Sequence, residues 1–139
     1  MNRIRVLLVD DEIGFISPLS KRLARRGFDT HTVSSGREAL EAFGESSFDI
    51  VLLDIRMEGM DGIRTLGEIK RKHPLVEVVM LTAHANPDLV ISSLAMGAYD
   101  YLMKPADLNE LVLKIEDAAQ RRKKNLAHDG RDRGETDTQ

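Results

Sequence analysis

Five short apolar runs alternating with five segments of helical period predict an α/β fold: a doubly wound five-stranded parallel sheet with helices on both faces. Two further observations support it. Most of the runs are continuously apolar, as strands buried on both faces require. Each link between runs is long enough for a helix, which parallel neighbours need to reverse the chain's direction. With 139 residues, 42% of them apolar, one domain can bury a sizeable core. A chain of this size hides roughly two-thirds of the surface its unfolded form exposes.

The first strand is "IRVLLV" (4–9). Ile16, Leu19, Leu23 and Ala24 then share a helical face, ended by Gly27. Pro18 fits this helix badly: either the helix begins late and Pro18 lies in its first turn, or the proline kinks it. "FDTHTV" (28–33) is more polar and reads as an edge strand. Ser35 and Glu38 have capping-box spacing before Ala39, Leu40 and Phe43. "DIVLL" (49–53) is the third strand, followed by the stripe Ile63, Leu66 and Ile69. "VEVVMLT" (76–82) is the fourth. Asn86-Pro87 reads as a cap plus first-turn proline, opening the stripe Val90, Ile91, Leu94 and Ala95, which Gly97 stops. "AYDYLM" (98–103) is the last strand. Asp107 with Glu110 repeats the capping box before Leu108, Leu111, Val112 and Ile115. Right-handed crossovers make this a flavodoxin-like topology.

From about Arg121 the pattern dissolves into "RRKKNLAHDGRDRGETDTQ". The expected organisation is one domain over 1–122 and a charged, solvated, disordered tail over 123–139. The four-residue basic run reads as a helix end whose cations suit the dipole, not as a binding arm.

A net charge of −3 gives no reason to expect nucleic-acid binding. The absence of cysteine excludes disulfides and thiolate metal sites, and fits a reducing compartment. The first apolar run, broken by Arg5, is too short for a signal peptide or membrane span. A soluble cytoplasmic protein without membrane contact is the expectation.

In an open parallel sheet, ligands bind at the carboxyl ends of the strands. Asp10 and Asp11 follow the first run, Asp54 the third, Thr82 closes the fourth and Lys104 follows the fifth. Adjacent like charges beside a core call for a compensating cation. Oxygen ligands without His or Cys suit Mg²⁺. Held by Asp11 and Asp54, it would leave positions for phosphate oxygens. Asp54 could then attack phosphorus and form an acyl phosphate, with Lys104 neutralising one phosphoryl oxygen and Thr82 hydrogen-bonding another. Glu12 reads as a helix-start acid. His31, His73, His84 and His128 lack ligand spacing, and Met57, Met60, Met80, Met96 and Met103 read as packing residues.

The blocks "LLVDDE", "VLLDIRMEGMDG", "VVMLTAHA" and "YDYLMKP" closely resemble the signatures of bacterial response-regulator receiver domains, over about residues 4 to 120. The resemblance implies the (βα)5 receiver fold, with phosphorylation of Asp54 by a histidine kinase or histidine phosphotransfer protein. It implies Mg²⁺ on Asp11, Asp54 and the backbone carbonyl of Arg56, with Asp10 acting through water. It assigns Thr82 and Lys104 to the phosphoryl group, with the N–H groups of Arg56 and Ala83, and implies a Lys104-Pro105 bond that is often cis. It also implies a switch: Thr82 moves inward, Tyr101 follows, and the surface of the fourth helix, fifth strand and fifth helix changes shape. That surface would serve a downstream protein, an attached output domain or a homodimer. Such a receiver is a phosphoacceptor that catalyses its own phosphorylation and dephosphorylation, not a conventional enzyme.

Two departures matter. Glu58 stands where relatives of this kind commonly carry proline, in a loop that keeps Gly59 and Gly62 and is expected to be more flexible for it. Arg56 and His84 occupy the positions that tune phosphate lifetime, and their bulk is expected to hinder the hydrolytic water. Three rival readings fit the sequence less well. An Asp-nucleophile phosphatase would want a second acid at position 56, which is Arg. A flavin-binding protein would want a Ser/Thr/Gly-rich loop where "DDEIGF" stands. A phosphorylation-independent interaction module would not need the acid constellation. Whether the receiver acts alone or belongs to a longer regulator stays open.

Overall fold

The computed structural model describes residues 3–57, 61–83 and 86–137, with side chains to residue 128. Glu58, Gly59, Met60, His84 and Ala85 lie outside the described residues. Ten elements alternate as β1 (Arg5–Val9), α1 (Ile13–Arg25), β2 (Asp29–Val33), α2 (Gly36–Glu45), β3 (Ile50–Asp54), α3 (Gly62–Lys72), β4 (Glu77–Thr82), α4 (Pro87–Ala95), β5 (Asp100–Met103) and α5 (Leu108–Asp137). The strands form one parallel sheet in the order β2-β1-β3-β4-β5. β2, the most polar run, is an edge as expected.

Successive residues along the central strands serve opposite faces. Val6, Leu8, Ile50, Leu52, Val79 and Leu81 pack with Ile16, Leu19 and Leu23 of α1 and Leu111 and Ile115 of α5. Leu7, Val9, Val51, Leu53, Val78 and Met80 pack on the other face with Ala39 of α2 and Leu66 and Ile69 of α3. Every side chain of β3 and β4 is buried, so these strands cannot show the polar alternation of a half-exposed sheet.

The caps read from the sequence are present. Ser35 accepts from the Glu38 N–H, while the Glu38 carboxylate turns back to Ser34 rather than to the cap residue. Asn86 accepts from the N–H groups of Asp88 and Leu89, and Asp107 from those of Asn109 and Glu110. Gly27 and Gly97 end their helices at φ 95° and 105°, backbone that residues with a Cβ resist.

α1 starts at Ile13, so of the two placements open to Pro18 the structure has the one inside the helix. Other expectations need correction. Ala24 is exposed and leaves the α1 stripe. The apolar stripe of α4 does not face the core. Ile91 and Leu94 are exposed, as are Met96, Tyr101 and Met103, while Ser93 is the buried residue, its Oγ donating to the Leu89 carbonyl. Met96 and Met103 are therefore surface residues. Finally, the helical pattern does not dissolve near Arg121: α5 continues to Asp137. Its Arg, Lys, Leu and Ala favour helix, and no glycine intervenes before Gly130. Among the described residues, no helix is long and apolar enough to cross a membrane.

Candidate functional site

β1 and β3 are hydrogen-bonded neighbours, but the chain leaves them in opposite directions: through α1 toward the edge strand β2, and through α3 on the other face toward β4. A crevice at such a switch point is where open α/β sheets bind ligands. Asp10 follows β1 and Asp54 ends β3 at this crevice, while Thr82 ends β4 and Lys104 follows β5.

Asp10 is 0% and Asp54 4% exposed, and Thr82 is also buried. Lys104 spans the group. Its Nζ lies 2.6 Å from Asp10 Oδ2, 3.2 Å from Glu12 Oε1 and 3.5 Å from Asp54 Oδ2, and 4.6 Å from the centre of the Phe15 ring. The Asp10 contact is close but poorly aligned for hydrogen bonding, so Asp10 Oδ2 is neutralised by charge without an aligned donor. Asp10 Oδ1 accepts the Glu12 N–H at 2.9 Å, and Asp54 Oδ1 accepts the Arg56 N–H at 3.3 Å. The Lys104-Pro105 peptide is cis, and the Lys104 N–H donates to the Thr82 carbonyl at 2.8 Å, tying β5 to β4.

Burial pushes the Asp54 carboxyl up to about 6, and the neighbouring Asp10 charge adds to the rise; Lys104 and the Arg56 N–H pull the other way. Burial alone would lower the Lys104 ammonium, but its close contact with Asp10, the charges of Asp10 and Asp54 and its bond to Glu12 prevail and raise it. Three carboxylates around one cation leave the crevice with an excess of acids.

The donor set suits a hard divalent cation. Carboxylate oxygens of Asp10, Glu12 and Asp54 all lie within 4.8 Å of one another. They are oxygen ligands only, as Mg²⁺ prefers. Asp11 is exposed on the rim and is not one of this close group. Arg56 is exposed next to Asp54, and Ala83 is exposed after Thr82. Tyr101 is 37% exposed on β5 and lines a groove of about 500 Å³ with Asp100, Met103, Pro105, Glu110 and Lys114.

Three residues carry contacts that the sequence pattern does not show. Glu12 stands at the start of α1 as expected, but its side chain caps nothing and reaches Lys104. Phe15 covers the ammonium. Gly62, expected to loosen its loop, stands where a Cβ would collide with the Asp54 carbonyl and lie 2.7 Å from Ile55 Cα and O. Its N–H donates to the Ile55 carbonyl at 3.0 Å, so α3 starts pressed against the Asp54 segment. No sequence signal marks these contacts beyond the position of Glu12 next to the acid pair and a glycine at the start of a helix.

Residues 6–116 match the family model described as the response regulator receiver domain. The Regulatory protein AtoC of Escherichia coli is 41% identical over 126 residues, 89% of this chain and 27% of that protein. The DNA-binding transcriptional regulator NtrC of Escherichia coli is 42% identical over 118 residues, 85% of this chain and 25% of that protein. The chain therefore spans about a quarter of the length of these curated relatives. Among solved structures, a CheY-like receiver domain protein from Methanospirillum hungatei superposes with a TM-score of 0.85 at 26% identity, covering 89% of this chain and 99% of that one. The receiver domain of NtrX from Brucella abortus gives 0.79 at 35% identity, covering 83% and 98%. The sheet order, the acid crevice and these matches agree, and the chain belongs to the response regulator receiver domain family of two-component signalling.

Proposed function

We propose that Asp54 is the phosphoacceptor of this receiver. The observation that carries the reading is its position: a buried carboxylate at the switch point, flanked by Asp10 and reached by Lys104 at 3.5 Å. One Asp54 oxygen would form a bond to phosphorus as the bond from phosphorus to a donor breaks. That donor is a phosphohistidine of a histidine kinase or phosphotransfer protein, or a small acyl phosphate, and the bonding pair leaves with it. Lys104 neutralises a phosphoryl oxygen, Thr82 donates its hydroxyl to another, and the N–H groups of Arg56 and Ala83 complete the cradle. Asp11, Asp54 and the Arg56 carbonyl would hold Mg²⁺, with Asp10 acting through water. Bound there, the ion would screen the nucleophile and the incoming phosphate.

Thr82 and Tyr101 form the switch in this reading. The exposed Ile91, Leu94, Met96, Tyr101 and Met103 make the surface where α4, β5 and α5 meet apolar enough to bury against a partner, an output domain or a second copy. The relatives AtoC and NtrC are about four times longer than the matched region, which favours an output carried on the same polypeptide. Tuning of phosphate lifetime falls to Arg56 and His84.

Incubation with Mg²⁺ and a small acyl phosphate, read by intact mass, tests the site. One phosphate is expected on the wild type, with none on Asp54→Asn and none without Mg²⁺. Uptake that survives Asp54→Asn would overturn the assignment.

A further inference from the structure

We propose that Glu12 is a positioning residue for Lys104, holding the ammonium on the Asp10 side of the crevice until a phosphoryl group draws it to Asp54. The inference rests on the phosphoacceptor reading and adds a residue that reading does not use. Lys104 has three N–H donors and meets three carboxylates, and it sits nearer to Asp10 and Glu12 than to Asp54. Asp10 and Asp54 are buried parts of the crevice, but the Glu12 side chain is 62% exposed and could have turned to solvent. It stands at the N-cap of α1, a place where a shorter Ser, Thr, Asp or Asn would satisfy the helix N–H groups, and makes no such bond. Its carboxylate instead accepts from Lys104 across the crevice, a contact spanning 92 residues of chain.

The backbone anchors the residue at its root: the Glu12 N–H donates to Asp10 Oδ1, and the Glu12 carbonyl accepts from Phe15 and Ile16, while the Phe15 ring also packs on the ammonium. A phosphoryl group on Asp54 would place new negative oxygens beyond the carboxylate, and Lys104 would have to give up Glu12 to reach them. Glu12 therefore stabilises the unmodified state relative to the phosphorylated one. An exposed ion pair is weak, so its effect is a tuning of the rate and not a block.

Glu12→Gln should speed phosphate uptake from a small acyl phosphate by about two- to fivefold, the scale of one part-exposed ion pair. That gain should vanish when the substitution is made in a Lys104→Met background, because the effect acts through the lysine. In Mg²⁺-free protein, Glu12→Gln should also shift the Lys104 side-chain Cε–Hε resonance, a readout that needs no phosphate chemistry. A slower uptake with weaker Mg²⁺ binding by titration would overturn the proposal and make Glu12 a metal ligand. So would an unchanged uptake rate, or a gain that persists without Lys104. If the wild type takes up no phosphate while the Lys104 resonance still shifts, the phosphoacceptor reading has failed and the tether alone stands. An unmoved resonance removes the tether itself.

Discussion

Gly62 at the start of α3 lies so close to the backbone of Asp54 that a side chain of any kind would drive into the Asp54 carbonyl. The helix and the acid are therefore mechanically one piece. Moving either displaces the other, and the position of the Asp54 carboxylate depends on a hydrogen where other residues carry carbon.

Gly62→Ala should then cost about 1–3 kcal/mol, the usual penalty for overpacking a closed site. Because the contact is backbone to backbone, relief must come from displacing the Asp54–Arg56 segment. Denaturant unfolding should register the loss, and acyl-phosphate uptake should fall further than the loss of folded protein explains.

Asp54 supplies a prediction with a definite sign. Its folded-state carboxyl is raised to about 6 from an ordinary 3.8, so the folded state holds this proton more tightly than the unfolded chain does. The fold is favoured below the lower of these values and progressively loses that advantage as pH rises through the upper one. In Mg²⁺-free buffer, Asp54→Asn should therefore raise stability at pH 7 by about 1–3 kcal/mol. The advantage should shrink as pH falls from 6 toward 4, and parallel urea titrations across that range check it.

At the opposite end of the sheet, Glu77 opens β4 with only 2% exposure, held by Lys70 of α3 at 3.5 Å and by Arg121 of α5, whose guanidinium lies over Tyr99. Burial pushes the Lys70 ammonium down, and Glu77 opposes that shift. Glu77→Ala would leave the mostly buried Lys70 ammonium with only the Pro74 and Val76 carbonyls and cost about 1–3 kcal/mol. Unfolding should show the loss, with phosphate uptake per folded molecule unchanged, because the cluster sits at the amino end of the strands.

Replacing Arg56 and His84 together with small residues should speed loss of phosphate from the phosphorylated protein. Arg56 is exposed beside Asp54, where its bulk would obstruct a water approaching phosphorus in line. Following the decay of the phosphorylated mass after donor removal measures this directly.

Asp10, Asp54, Thr82 and Lys104 were legible because each follows an apolar run, and a parallel sheet brings the ends of its strands to one edge. Strand runs, caps and the positive-φ glycines were legible for the same local reason: each depends on a few neighbours in the chain. Contacts made across the fold were not. The Glu12 carboxylate chose Lys104, 92 residues away, over the helix beside it. Gly62 looked like a flexible link and is a close contact. The α4 stripe, apolar enough to seem destined for the core, was left exposed, because periodicity specifies which residues share a face but not whether anything covers it. Arg121 and Arg122 looked like a charged helix end, yet they tie α5 down through Glu77 and Asp49. Local propensity and hydrophobic period fixed the elements and their order; long-range packing and the pairing of charges in a dry crevice decided which side chains meet.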